Sequence, residues 1–177
     1  MPKYPKIAGV DEVGRGCLAG PVFAAAVILN KNIDFRDIKD SKKIDFKKRI
    51  LLSSYIKKNS VYAVGSASVD EINEINILNA SLLAMKRALV NIKCKTIIKG
   101  DEKITCISAA SIIAKVSRDQ FMIKLNKKYP KYGWDKNFGY GTSVHLISLK
   151  KYGVTKHHRR KFKPVHNILL GSKRETL

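Results

Sequence analysis

The chain has 177 residues, of which 45% are hydrophobic and 28% charged. This length suits about one domain, and the composition excludes a wholly disordered chain. No apolar run reaches the roughly 18 residues of a membrane helix, and no signal-peptide pattern opens the chain. Because Cys17, Cys94 and Cys106 are odd in number and widely spaced, we expect neither a disulfide nor a zinc site. These features predict a monomeric cytoplasmic protein without a membrane partner.

The charge is strongly unbalanced, with 35 Lys and Arg residues against 14 Asp and Glu residues, a net charge of +21. Such a surplus favours polyanions, nucleic acid first and anionic membrane surfaces second. Most of the basic residues are lysines, so an AT-rich genome is an alternative source of the bias. Because acids are scarce, the position of each one is informative.

The first half of the chain predicts a strand, a glycine-rich turn and a second strand. An apolar run over Ile7–Val10 stops at an acidic pair, and Val22–Leu29 is β-prone. A helix is predicted over Asp45–Lys57, with one apolar side formed by Phe46, Ile50 and Leu51. Alternation of apolar and small residues over Ser60–Val69 indicates a half-buried strand.

Two helices dominate the second half. Asp70 resembles a helix cap, and a long amphipathic helix is predicted from apolar residues spaced by three and four, namely Ile72, Ile75, Leu78, Leu82, Met85 and Leu89. Thr96–Ile98 predicts a short strand. A second helix is predicted to begin at Ser108 and to end before Pro130, with buried positions at Ile112, Val116, Met122 and Leu125. This order favours an α/β or α+β domain with one mixed sheet.

The adjacent acids Asp11 and Glu12 lie at the end of the first predicted strand, before Gly14-Arg15-Gly16. Neighbouring strand residues point to opposite faces, so both acids reach one metal ion only if the strand ends or bends there. Two close carboxylates repel each other, and Mg²⁺ or Mn²⁺ relieves that repulsion. The alternative is a turn with solvated acids. The glycines also allow backbone N–H groups to approach a ligand, and Arg15 could contact phosphate.

Three further features carry candidate chemistry. Asp119 lies one helical turn after Lys115, which fits either a third site acid or an ordinary ion pair. Tyr140, in a glycine loop, could stack on a sugar or base, or pack within the loop. The basic run His157–Lys161 includes Arg159 and Arg160 and could hold phosphates, or form a solvated surface.

Together these motifs resemble the ribonuclease HII family, the type 2 ribonucleases H. The similarity runs in order over nearly the whole chain, through Ile7–Gly16, Leu18–Val22, Asp40-Ser41-Lys42-Lys43, Ile75–Leu78, Ala84–Ala88, Lys99-Gly100-Asp101, Ser108–Lys115, Arg118-Asp119, Gly139–Thr142 and His158–Val165. The resemblance implies a ribonuclease H-like mixed sheet flanked by helices, with a helical C-terminal extension. We accordingly expect a catalytic core over residues 1–130 and a substrate-binding extension over 131–177, packed as a single structural domain.

The resemblance also implies a function and a set of site residues. It implies Mn²⁺- or Mg²⁺-dependent cleavage of RNA in RNA–DNA hybrids and at single ribonucleotides in duplex DNA. The cut falls on the 5′ side of the ribonucleotide and leaves 3′-hydroxyl and 5′-phosphate ends. By position, Asp11, Glu12 and Asp119 match active-site acids, and Gly14-Arg15-Gly16 matches the element that senses the 2′-hydroxyl. Tyr140 matches the aromatic that stacks on the sugar, while Ser41, Lys42 and Lys43 match the substrate loop.

The chain departs from the family pattern before Thr96. The family has another strand there, in the middle of the sheet, ending in an Asp-Gly pair whose Asp is a metal ligand. Either the Thr96–Gly100 strand takes the vacant place and Asp101, or less favourably Glu102, substitutes for that ligand, or the chain is an internally deleted copy with impaired activity. The second account predicts a protein that only binds hybrid or duplex nucleic acid.

Overall fold

The computed structural model describes residues 8–30, 38, 45–92 and 102–174. The chain forms two compact units, each drawn from separate stretches of sequence. The first comprises residues up to Val13, Phe23–Ser66 and Ser81–Ser117, and the second comprises Gly14–Val22, Ala67–Ala80 and the residues from Arg118 onward. No helix within the described ranges is both long and apolar enough to cross a membrane.

The first unit is built on a sheet whose described strands are β1 (Gly9–Val13), β2 (Val22–Leu29) and β3 (Ser60–Ala67), in the order β1-β2-β3. Strands β1 and β2 are antiparallel, and Gly9 pairs with Val27 at one end and Val13 with Phe23 at the other. Helix α1 (Phe46–Asn59) precedes β3, and Asp45 caps it by accepting a hydrogen bond from the Lys48 amide. The predicted strand–turn–strand, helix and strand are therefore confirmed.

Small residues allow a helix to pack closely on this sheet. Helix α3 (Glu102–Lys128) buries Ala109, Ala110 and Ala114 against a core that includes Ala25 and Val27 of β2. At Gly9 the approach is so close that a Cβ atom would overlap the Cys106 backbone. The sheet and helix therefore meet almost backbone to backbone.

Helix α3 begins at Glu102, earlier than the predicted start at Ser108, and ends before Pro130 as predicted. Its four predicted buried positions, Ile112, Val116, Met122 and Leu125, are confirmed. The early start places Ser108 inside the helix, where its side chain is half-buried. The predicted strand over Thr96–Ile98 lies outside the described residues.

Helix α2 (Val69–Ile92) is confirmed, but its cap was predicted wrongly, and its predicted apolar face is only partly right, with Ile72 buried and Ile75, Met85 and Leu89 half-buried. Ser68 caps it, because its hydroxyl accepts from the Glu71 amide while the Glu71 carboxylate accepts from the Ser68 amide. This reciprocal pair is a capping box. Asn76 has φ 67° and kinks the helix, so the apolar spacing does not follow one face. The small side chains Ala80, Ser81, Ala84 and Ala88 are buried, whereas Leu78 and Leu82 are exposed.

The buried face of α1 was also predicted wrongly. Phe46 and Leu51 are exposed, and the residues that α1 buries are Ser53 and Ile56. The helix has lysine or arginine at many positions, so a short apolar cluster near its start was a poor guide to the side that packs on the sheet.

The second unit is largely helical. A single 3₁₀ turn over Pro130–Tyr132 leads into α4 (Trp134–Asn137), α5 (Ser143–Tyr152) and α6 (Lys163–Arg174). These elements share a core around Trp134 with Leu18, Met122, Leu149 and Val165. The helical character implied for the C-terminal part is confirmed, while the division at residue 130 stays a prediction.

Candidate functional site

The acidic pair lies within β1 rather than at its last residue. Asp11 pairs with Ala25 and Glu12 with Ala24, and pairing continues to Val13. The predicted bend therefore comes after the acids, at Gly14, whose φ is +94°. Both carboxylate residues are half-buried in the first unit.

The glycine turn belongs to the second unit and carries its own constraint. Gly14 has the positive φ that favours glycine, and a Cβ atom there would overlap the guanidinium of Arg118. Arg15 and Gly16 are exposed, whereas Cys17 is buried as a thiol. The turn is thus exposed at Arg15 and Gly16, while its base is held from inside.

Arg118 is the residue that holds the turn, and sequence reasoning missed it. Its side chain is 0% exposed. Nε donates to the Pro21 carbonyl at 3.0 Å, Nη2 to the Ala19 carbonyl at 3.1 Å, and Nη1 to the Phe138 carbonyl at 2.8 Å. Hydrogen bonds from a charged donor are stronger than those between neutral groups. One side chain therefore joins the segment after the turn to the loop before Tyr140.

Arg159 supports the same segment from a second direction. Nε donates to the Gly20 carbonyl at 2.9 Å and Nη1 to the Arg15 carbonyl at 2.8 Å. The remaining nitrogen, Nη2, is buried with no hydrogen-bond partner among the described residues. Burial lowers the pKa of Arg159 to about 10.

Arg160, the residue after Arg159, has a different environment. Arg160 is exposed, and its backbone amide donates to Asn73 Oδ1 at 3.0 Å. Of the two arginines predicted to bind substrate, Arg160 presents its charge to solvent and Arg159 braces the turn from inside. Contact of either with substrate stays a prediction.

Tyr140 lies in a loop fixed mainly through its backbone. The Gly139 amide donates to Asn137 Oδ1 at 2.8 Å, and the Tyr140 carbonyl accepts from His145 Nδ1 at 2.8 Å. The side chain is 37% exposed. Burial raises the pKa of its hydroxyl, with smaller effects from the Cys17 thiol, which is hydrogen-bonded to it, and from Asp119. The ring is thus partly available to a ligand and held at its hydroxyl end.

A buried network of hydrogen-bonded side chains contacts the Tyr140 loop. The Thr155 amide donates to His158 Nδ1 at 3.0 Å, so the His158 proton lies on Nε2, which faces His145 Nε2 at 3.2 Å. Trp134 Nε1 also donates to His145 Nε2, at 3.1 Å. This pattern requires both imidazoles to be neutral. Burial, followed by the charge of His145, lowers the pKa of His158 to about 3, and burial lowers that of His145.

The remaining predicted acids and substrate residues are placed as follows. Asp119 lies on α3 in the second unit and is 2% exposed. Asp101, Ser41, Lys42 and Lys43 lie outside the described residues. Over residues 8–30, 38, 45–92 and 102–174, no group of three or more His, Cys, Asp or Glu side chains could hold a metal ion. The donor type still suits the implied ion, since hard divalent cations prefer carboxylate oxygens.

Comparison with known proteins decides the family. A family model described as Ribonuclease HII matches residues 8–98 and 87–165. A protein of Pelagibacter ubique named Ribonuclease HII is 54% identical, over 92% of this chain and 98% of its own length. The chain belongs to the ribonuclease HII family. Ribonuclease HII enzymes are metal-dependent endoribonucleases of RNA–DNA hybrids, so the expected family, enzyme class and nuclease character are confirmed.

Solved structures show the same fold as that of this ribonuclease HII. The ribonuclease H2 of Pyrococcus horikoshii OT3 superposes with a TM-score of 0.76 at 29% identity, over 96% of this chain and 99% of that one. Bst-RNase HIII, solved in complex with Mn²⁺, superposes with a TM-score of 0.71 at 16% identity, over 96% of this chain and 71% of that one. The ribonuclease H-like α/β fold is therefore confirmed.

The match to the ribonuclease HII model is interrupted where the sequence departs from the family. It falls into two segments that overlap at residues 87–98. The alignment with the Pelagibacter protein spans 183 positions although it covers only 92% of the 177 residues here, so it requires gaps in this chain. The overlap of the two segments is consistent with a shortened segment near residues 87–98, and the alignment length shows only that this chain is shorter than its relative at some point.

Proposed function

We propose that this chain cleaves the RNA strand of RNA–DNA hybrids and single ribonucleotides embedded in duplex DNA. The cut falls on the 5′ side of the ribonucleotide and leaves 3′-hydroxyl and 5′-phosphate ends. The observation that carries the proposal is the family match, which includes the acidic pair, the glycine turn and the tyrosine loop in order. The net charge of +21 supports a nucleic-acid substrate.

Asp11, Glu12 and Asp119 are proposed as the metal ligands. Mn²⁺ or Mg²⁺, when bound, supplies an activated water and neutralises the charge on the attacking and leaving oxygens. The protein's part is to hold carboxylates in place. Asp11 and Glu12 are fixed by the pairing of β1 with β2, and the buried position of Asp119 on α3 restricts its side chain.

Recognition of the ribonucleotide is proposed for the glycine turn and Tyr140. The 2′-hydroxyl distinguishes RNA from DNA, and backbone N–H groups of the exposed residues Arg15 and Gly16 can read it without reading base sequence. The half-exposed Tyr140 ring can stack on the adjoining sugar. Arg160, together with Ser41, Lys42 and Lys43 of the substrate loop, is proposed to contact phosphates.

A second function is supported by the interrupted family match. If the shortened segment removed a metal ligand, the protein would bind hybrid or ribonucleotide-containing duplex without cleaving it. Asp101 is the candidate substitute ligand. A substitute carboxylate must meet tight coordination distances. Whether Asp101 is a metal ligand must therefore be tested with a variant of Asp101.

The test is a 5′-labelled DNA duplex with one ribonucleotide, incubated with the full chain and either Mn²⁺ or chelator. The proposed nuclease cuts only with the metal and leaves a product that a polymerase can extend from its 3′-hydroxyl. Binding without metal-dependent cleavage would support the second function. A matched all-DNA duplex is the substrate control and should stay intact.

A further inference from the structure

We propose that Arg118 is a specificity-determining positioning residue that fixes the glycine turn and the Tyr140 ring relative to each other. The inference rests on the proposed function, because it assigns ribonucleotide recognition to those two elements. Arg118 itself is buried and need not touch the substrate. Its role is to hold the glycine turn and the Tyr140 ring in a fixed arrangement, so that both contact the same ribonucleotide.

The first contact is with the turn. The Arg118 guanidinium occupies the space where a Cβ atom of Gly14 would lie, and it donates to the Ala19 and Pro21 carbonyls further along the same segment. A planar fork with five fixed donors suits several acceptors at once, which a lysine ammonium does not. The guanidinium therefore sets the path of the chain on both sides of the exposed residues.

The second contact is with the tyrosine loop. Arg118 Nη1 donates to the carbonyl of Phe138, a non-glycine residue held at φ 48°. The guanidinium carbon also lies 5.9 Å from the centre of the Tyr140 ring, within the distance of a cation–π contact. The same group that supports the turn thus faces the ring proposed to stack on the sugar.

This arrangement predicts that the turn and the ring contribute to recognition together rather than independently. A guanidinium displaced from the turn also loses its position against Tyr140. Residues that share a partner show non-additive effects when both are changed. A purely structural Arg118 would instead weaken binding to every duplex equally and leave the effect of Tyr140 intact.

The test measures the binding preference for a labelled duplex with one ribonucleotide over the matched all-DNA duplex, by fluorescence anisotropy with chelator. Chelator separates recognition from cleavage, so the result does not depend on activity. Arg118→Lys and Tyr140→Leu are each expected to reduce the preference about threefold to tenfold, and the double variant no further than the larger single effect. Arg87→Gln, which removes an exposed cation from α2, should leave the preference unchanged.

If the double variant lost the preference by the product of the two single effects, Arg118 and Tyr140 would act independently, and the proposed coupling would be wrong. If Arg118→Lys shows no cooperative unfolding transition, Gly14→Ala combined with Tyr140→Leu provides a second cycle, in which alanine at φ +94° perturbs the turn and its contact with the guanidinium together. A wild-type chain with no preference for the ribonucleotide would overturn the proposed recognition and this inference together. A clear preference with independent effects would overturn only the inference.

Discussion

Acidification should destabilise this protein through the buried pair His145 and His158. The pKa of His158 falls from 6.5 to about 3 in the folded state. As the pH falls below 6.5, His158 therefore binds a proton in the unfolded chain but not in the folded chain. Stability is then lost between pH 6.5 and about 3. Each pH unit corresponds to about 1.4 kcal/mol per group, so His158 alone should remove about 2 kcal/mol of unfolding free energy at pH 5.

Urea unfolding at pH 7 and pH 5 measures this loss, followed by the fluorescence of Trp134, the single tryptophan. Its indole donates to His145, so its emission reports on the affected network. His158→Gln should shrink the loss between the two pH values by at least about 1 kcal/mol. An equal loss in His158→Gln and wild type would refute the reasoning.

Three further predictions concern the metal site, the core and the substrate. Asp101→Asn should abolish Mn²⁺-dependent cleavage if Asp101 replaces the missing ligand, and unchanged cleavage would exclude that role. Gly9→Ala should lower the unfolding free energy by about 1–3 kcal/mol, because its Cβ overlaps the Cys106 backbone; Gly171→Ala, with open space around it, is the control in urea unfolding. Hybrid affinity should fall steeply with salt, by roughly 0.9 in log K per log unit of salt for each phosphate neutralised, and a flat response in a salt titration would contradict a phosphate-bound substrate.

Local sequence signals predicted the strands and helices well and the buried faces less well. Alternation and glycine punctuation identified β1, β2 and β3, since these patterns reflect backbone geometry directly. The face of α2 was predicted only in part, because Asn76 breaks the helical phase and because the sheet selects small residues. Gly65 meets the α2 backbone at Ala84 and Ala88 so closely that a stripe of leucines could not face it.

Candidate site residues could be recognised in the sequence by their type and position, whereas the residues that support them through tertiary contacts could not. Asp11, Glu12, Gly14 and Tyr140 stood out by type and position. Arg118 did not, because its carbonyl partners Ala19, Pro21 and Phe138 are distant in sequence. The burial of Arg159 was equally hidden, because the basic run was expected either to hold phosphates or to form a solvated surface.

We propose that Asp11 holds the metal ion of a ribonucleotide-specific nuclease. The most direct measurement compares wild type and Asp11→Asn on a duplex with one ribonucleotide in Mn²⁺, with hybrid binding measured in parallel. The account predicts cleavage 5′ to the ribonucleotide by wild type, at least about a thousandfold less by the variant, and similar binding by both. Cleavage retained by Asp11→Asn would contradict it.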